Sequence, residues 1–278
     1  MTSALDHLDH LGPISLAELD ARASLQTRVD RKYVVPAEAL GPLLRQIGAG
    51  ARVLQIGAAR DFAYESVYFD TPQLTSYLGA ARRRRRRFKV RTRTYVDSRQ
   101  TWVEVKTRGP RGATVKTRMP HDPGQRATLT GESLRFADSV LGQAAVPRSD
   151  GAPFLPTLVS SYRRATLHLP DDSRTTIDTG LVWTDPASGA ELDLRDVVII
   201  ESKTGSTPSS TDRLLWRHGL RPVRISKYGT GMAALHPGLP ATPWRRVLDR
   251  HVLDRHVLDR RPTAHTPDRM SPLAVWSI

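Results

Sequence analysis

The sequence predicts an α+β fold in which about eight antiparallel strands form the body and short helices flank them. Three observations predict it. Cationic residues alternate with period two through Arg87-Phe88-Lys89-Val90-Arg91-Thr92-Arg93; in a strand, every one of those cations points to the same face, about 6–7 Å from the next. The alternation returns with a carboxylate added in Val103-Glu104-Val105-Lys106 and in Ile200-Glu201-Ser202-Lys203. Between the apolar stretches stand turn-forming clusters: Asp97-Ser98-Arg99-Gln100, Gly109-Pro110-Arg111-Gly112, Pro170-Asp171-Asp172-Ser173 and Asp185-Pro186-Ala187-Ser188-Gly189.

In chain order, residues 1–24 read as a leader with a short helix over Leu16–Ala23, started by Ser15 and Glu18 at capping-box spacing. A strand follows over Arg28–Val35. Pro36 then opens a helix over Ala37–Ile47, since proline is tolerated in a first turn. Ala63–Phe69 is strand-like and is stopped by Asp70-Thr71-Pro72, with a short helix over Pro72–Leu78. Arg84–Val96, Thr101–Arg108 and Ala113–Met119 form a meander, and Glu132–Leu141 has helical spacing. Three more strands are expected over Thr157–Leu169, Arg174–Trp183 and Glu191–Lys203, then helices over Thr211–His218 and Thr230–Leu235. The main domain is expected over residues 25–237. Residues 238–278 read as a flexible tail, because Val-Leu-Asp-Arg-His recurs from Val247 with a five-residue period. That period advances about 500° on an α-helix, so its apolar pairs form no single face.

Several of these strands carry charge on one face and apolar residues on the other: Val103 and Val105 oppose Glu104 and Lys106. A sheet closed into an eight-stranded barrel accommodates this, with a charged lumen and helices over the apolar outside. The net charge of +14, from 42 Lys+Arg against 28 Asp+Glu, implies a polyanionic partner or a strongly repelled, highly soluble surface. Only 6% of residues are aromatic, too few for the stacking platforms of single-strand nucleic-acid binders, which makes nucleic acid an unlikely partner. The absence of cysteine excludes disulfides and thiolate metal sites. No apolar run reaches the roughly 20 residues of a membrane span, and the first residues lack a signal-peptide core, so the expected address is the cytoplasm.

The motifs, in their order, resemble the VTC (vacuolar transporter chaperone) polyphosphate polymerase domain of the CYTH-like triphosphate tunnel metalloenzymes. They are Asp30-Arg31-Lys32-Tyr33, Val67-Tyr68-Phe69-Asp70-Thr71, Lys89-Val90-Arg91-Thr92-Arg93-Thr94-Tyr95, Val103-Glu104-Val105-Lys106, Val115-Lys116-Thr117-Arg118, Tyr162-Arg163-Arg164, Ile200-Glu201-Ser202-Lys203 and Ile225-Ser226-Lys227-Tyr228. The resemblance spans about Arg28 to Leu235. It implies a tunnel that holds triphosphate, in which the γ-phosphate of ATP passes to a growing polyphosphate chain and ADP leaves. By match, Lys32, Arg91, Arg93, Lys106, Lys116, Arg164 and Lys227 bind phosphate, with Tyr162 and Ser226 as hydroxyl donors. Of these, Arg91, Arg93, Lys106, Arg164 and Lys227 are the catalytic set. Glu201 holds the metal position for Mn²⁺ or Mg²⁺, with Glu104 as the second carboxylate. VTC domains commonly work beside membrane proteins, so a separately encoded membrane partner is expected.

The wider superfamily opens with Glu-x-Glu-x-Lys, where this chain has Arg28 and Asp30 before Lys32. The first carboxylate is lost and the second shortened, which weighs against hydrolysis from a two-carboxylate start site. Two readings compete with the polymerase: a tripolyphosphatase or nucleoside triphosphatase on the same fold, and a non-catalytic polyphosphate- or RNA-binding module. Individual residues also have plainer roles open to them. Arg82–Arg87 reads as a solvated or tunnel-mouth run, Glu104/Lys106 and Glu201/Lys203 as cross-strand ion pairs, and Asp178 as a residue that orients nearby arginines. From sequence, Arg91→Ala and Arg93→Ala are both expected to remove activity and spare the fold.

Overall fold

Alternating strand residues build a single sheet of eleven strands. The structure, a computed structural model, describes residues 8–22, 29–47, 50–108, 114–146 and 151–253. Strands are β1 (Gly12–Ile14), β2 (Val29–Pro36), β3 (Arg52–Leu54), β4 (Asp61–Asp70), β5 (Arg87–Tyr95), β6 (Gln100–Arg108), β7 (Thr114–His121), β8 (Leu155–His168), β9 (Arg174–Thr184), β10 (Glu191–Leu194) and β11 (Val197–Thr204). Helices are α1 (Leu16–Arg22), α2 (Ala37–Gln46), α3 (Thr75–Ala81), α4 (Gly131–Gln143), α5 (Ser210–Arg217) and α6 (Lys227–Leu235). The main path runs β2-β11-β9-β8-β4-β5-β6-β7, with β1, β3 and β10 attached to its flank. Every strand on that path was expected from the sequence. Arg28 and the Gly109–Gly112 turn lie outside the described residues.

The expected closure into a barrel does not occur among the described residues: β2 and β7 are the ends of the path and no ladder joins them. The edge strands carry Pro36 and Pro120. Each proline removes a ladder donor, a residue type that sheets confine to edges and strand ends. The sheet is nevertheless two-faced as predicted. On the outer face, Tyr33, Val35, Ala165, Ile177, Val198 and Ile200 pack under α2 and α5, and Val67, Phe88, Val90, Val103 and Val105 pack with Ala137 and Leu141 of α4. The inner face is polar at one end and apolar at the other, where Val34, Leu158, Leu181 and Ile199 bury Tyr228, Met232 and Ala233 of α6.

Local chemistry explains where elements depart from expectation. The stretch Glu191–Lys203 splits into β10 and β11 because the Asp193 carboxylate accepts from the Arg195 backbone N–H at 2.9 Å and turns the chain. Helix α3 starts at Thr75 rather than Pro72, since the Asp70 carboxylate collects the N–H groups of Ser76 and Tyr77 at 2.8 Å. Helix α6 starts at Lys227 rather than Thr230, because Ser226 caps it by accepting from Gly229 N–H at 3.2 Å. Strands β1 and β3 were not foreseen; three residues are too few to show a period.

Parts of both expected chain ends pack onto the domain. In the leader, Leu8, Leu11, Ile14 and Leu19 are buried, and Glu18 grips Arg52 through two 2.6 Å bonds. At the other end, Arg245–Val247 is helical and continues through Leu253 in a wider turn. An i→i+5 turn keeps residues five apart on one side, so Val247 and Val252 are both buried, with Trp244 and Leu248. The remaining repeats, residues 254–278, lie outside the described residues.

This C-terminal segment seals α6 in place. A Cβ on Gly229 would lie 2.1 Å from the buried Trp244 ring, and a bulky ring has no flexible end to give way. Gly229→Ala is therefore expected to destabilise the domain by about 1–3 kcal/mol, read as a lower midpoint in thermal denaturation. An unchanged midpoint would show that Trp244 does not clamp the helix. Among the described residues, no helix is long and apolar enough to cross a membrane.

Candidate functional site: a cationic inner face

The polar half of the inner face gathers charged side chains from strands all along the main path. Cross-strand register aligns Lys32 of β2 with Glu201 of β11, Arg164 of β8 with Asp178 of β9, Lys89 and Arg91 of β5 with Lys106 and Glu104 of β6, and Lys106 with Lys116 of β7. The cap of α6 adds Ser226 and Lys227 from one end. All the residues that the sequence singled out for phosphate thus share one face.

Their pairing divides them into two kinds. Glu104 is 1% exposed and takes both Nε and Nη2 of Arg91, at 2.9 and 2.6 Å, on one oxygen. Its other oxygen makes no hydrogen bond and faces Lys116 at 3.5 Å. Asp178, equally buried, accepts from Arg164 at 2.6 and 2.8 Å and from Lys227. Asp178 therefore orients Arg164, and Lys227 besides, whose ammonium lies 4.2 Å from the Tyr162 ring centre. Glu201 faces Lys203 at 3.3 Å. Burial alone would raise these three carboxyls, but the neighbouring cations hold all of them well below the ordinary carboxylate range.

A second set has no such partner. Among the described residues, no carboxylate lies within ion-pair distance of Lys32, Lys89, Arg93 or Lys106, and the Nε of Arg93 is buried without a hydrogen bond. Arg93 donates to the Tyr162 hydroxyl at 3.3 Å and sits over Tyr64, whose ring stacks on Tyr162. Lys89 donates to the Ser226 hydroxyl at 3.0 Å. Burial, then the charges of Lys32, Arg91 and Arg87, pull the Lys89 ammonium down to about 7. Burial, then Arg91, Arg93 and Lys89, push Lys106 well down too. Burial first, and like charge after it, disfavours both ammonium groups, with Glu104 offsetting part of the effect on Lys106.

Lys89 and Lys203 belong to this face but were not among the singled-out residues. The signal for Lys89 was present: it occupies the same period-two row as Arg91 and Arg93. Tyr162 accepts a hydrogen bond here and Ser226 serves as a helix cap, so each hydroxyl already has a structural partner. The face opens into a cavity of about 870 Å3, lined by Asp30 and Lys32 of β2, Lys106 and Arg108 of β6, Arg83 and Arg85 ahead of β5, and Arg87 at its start.

The chain matches the model of the VTC domain over residues 27–236. It belongs to the VTC domain family. No curated protein matches it. Among solved structures, this VTC domain is similar to a putative adenylate cyclase from Bacillus halodurans, at 16% identity over 72% of this chain and 94% of that one, with a TM-score of 0.46. It is also similar to a putative adenylyl cyclase from Hippeastrum with a dominant triphosphatase activity, at 16% identity over 74% and 96%, TM-score 0.46. A third similarity is to an inorganic triphosphatase, at 13% identity over 67% and 83%, TM-score 0.28. At these scores the family match alone carries the assignment.

A divalent metal asks for hard oxygen ligands, commonly one or two carboxylates with water and substrate oxygens. Among the described residues of this VTC domain, no three Asp, Glu or His side chains cluster to hold one. Glu104 does not fit the role expected of it, because Arg91 takes one of its oxygens and the Lys116 ammonium stands 3.5 Å from the other, so a metal there would meet two cations. Glu201 fits as a single carboxylate, with phosphate oxygens supplying the other ligands.

Proposed function

We propose that this VTC domain is a metal-dependent polyphosphate polymerase, which transfers the γ-phosphate of ATP to the end of a polyphosphate chain and releases ADP. The observation that carries the reading is the set Lys32, Lys89, Arg93 and Lys106: cations on one face of the sheet, none within ion-pair distance of a carboxylate among the described residues, of which Lys32, Lys89 and Lys106 line the cavity. A row of phosphates supplies the missing negative charge, one group per cation. In phosphoryl transfer the protein contributes mostly position and charge. A terminal oxygen of the chain attacks the γ-phosphorus, a new P–O bond forms, the bond to the β–γ bridging oxygen breaks, and ADP leaves with that oxygen. Arg93, with its planar fork, and Lys106 hold the transferred group and offset the charge that builds on its oxygens. Glu201 would hold a divalent ion, which would add further neutralisation of phosphate charge.

The carboxylates favour a phosphate acceptor over water. A base that activates water works best with a pKa near the operating pH, whereas Glu104, Asp178 and Glu201 are all held well below it. An anionic phosphate oxygen needs no base. Incubation of the purified protein with ATP and Mn²⁺, with products resolved on a gel, should yield long polyphosphate and ADP. Orthophosphate as the sole product would replace the polymerase with a hydrolase.

A further inference from the structure

The segment joining α3 to β5 carries six consecutive arginines, Arg82–Arg87, and they divide between two cavities. Arg83, Arg85 and Arg87 line the 870 Å3 mouth described above. Arg82, Arg84 and Arg86 line a second cavity of about 540 Å3, whose wall Arg85, Arg87 and Phe88 share with the first. The split follows from the backbone. Arg83 adopts φ 53°, a left-handed conformation that favours glycine, in a turn closed by Arg83 N–H to Ala80 O and Arg84 N–H to Gly79 O.

Arg82, Arg83, Arg84 and Arg86 are exposed. None pairs with a carboxylate among the described residues, and Arg86 donates only to the backbone carbonyl of Ala145, at 3.4 Å. Side by side without counterions, these guanidinium groups repel one another unless a dense anion lies across them. Phe88, the aromatic residue of the second cavity, is 4% exposed, so a nucleic-acid base finds no ring to stack on.

We propose that Arg82, Arg84 and Arg86 form an external track for the polyphosphate chain, continuous with the mouth across the wall at Arg85 and Arg87. The inference rests on the polyphosphate reading of the inner face and adds a second, length-dependent binding region to it. A triphosphate fills the inner face alone; a long chain reaches both regions.

The test compares the unaltered chain with the triple variant Arg82→Gln, Arg84→Gln, Arg86→Gln, using tripolyphosphate and long-chain polyphosphate as probes across a salt series. Long-chain affinity should fall at least about tenfold, and the slope of log K against log salt should shrink by about 2–3. Tripolyphosphate affinity should change less than about twofold. Equal losses for both probes, or no loss for either, would overturn the track. Single-stranded RNA that competes as well as polyphosphate of matched length would overturn its assignment to polyphosphate. Arg84→Gln alone should give a smaller loss in the same direction, which guards against a misfolded triple variant. Because the readout is binding, the two proposals fail separately. A chain that binds long polyphosphate through these arginines without making it overturns the polymerase and keeps the track. An active polymerase whose triple variant retains full long-chain affinity overturns the track alone.

Discussion

Arg91→Ala should lower the thermal midpoint on the order of 10 °C as well as remove activity, whereas Arg93→Ala should remove activity without lowering the midpoint. The two arginines share a strand face, two residues apart, and differ in what they leave behind. Without Arg91, Glu104 is a carboxylate at 1% exposure that has lost both of its hydrogen bonds. Lys116 remains, but at 3.5 Å with its side chain 44% exposed. Breaking a buried pair from one side costs about 3–5 kcal/mol, and about 2–4 °C accompanies each kcal/mol in a domain of this size. Arg93 makes no carboxylate ion pair among the described residues. Its removal relieves repulsion with Lys106 and Lys116, which it helps to push down. Activity in Arg93→Ala should fall about 100-fold or more, as when a donor to developing charge is lost. The sequence alone predicts one outcome for both variants; equal midpoints would restore that prediction and remove the structural role of the Arg91–Glu104 pair.

The second large effect is the coupling of anion, pH and stability. Tripolyphosphate at about 100 times its dissociation constant should stabilise the fold by about 2.7 kcal/mol, while the same concentration of orthophosphate, which spans a single cation, should do far less. The pH dependence of the empty domain has a definite sign. Lys89 is held near 7 and Lys203 near 8, against about 10.4 for an unfolded lysine. Between these values the unfolded chain binds more protons, so stability rises with pH from about 7 towards 10. Below about 7 the penalty of the charged, crowded lysines is fully present. Anion binding runs the other way, because phosphate favours the protonated ammonium. Tripolyphosphate affinity should therefore fall about tenfold between about pH 7 and pH 9. Calorimetry at both values checks the two trends together. A midpoint for the empty domain that falls over this range, or an affinity that holds steady, would mean that Lys89 does not face the anion.

Much of this was legible in the chain. Period-two rows at Arg87–Arg93, Val103–Lys106 and Ile200–Lys203 are local, because a strand's side chains alternate whatever its neighbours do. They placed β5, β6 and β11 and marked one face as cationic; turn-forming clusters and further alternation placed the other strands of the main path, and the ordered motifs pointed to the VTC family that the match over residues 27–236 shows. Short or context-held elements were not legible. β1 and β3 exist because β8 and the packed leader support them, and the five-residue repeat reads as patternless until a wider helical turn buries Val247 and Val252 together.

By itself, then, the amino-acid order determined which residues are cationic, which strand face carries them and which family the chain joins, since these depend on neighbours along the chain. Tertiary structure alone decided who pairs with whom. Among the described residues it left the sheet open between β2 and β7, paired Glu104 with Arg91, and put no carboxylate within ion-pair distance of Lys32, Lys89, Arg93 or Lys106. Those outcomes depend on Coulomb energy and burial between strands far apart in sequence, and no local pattern contains such distances.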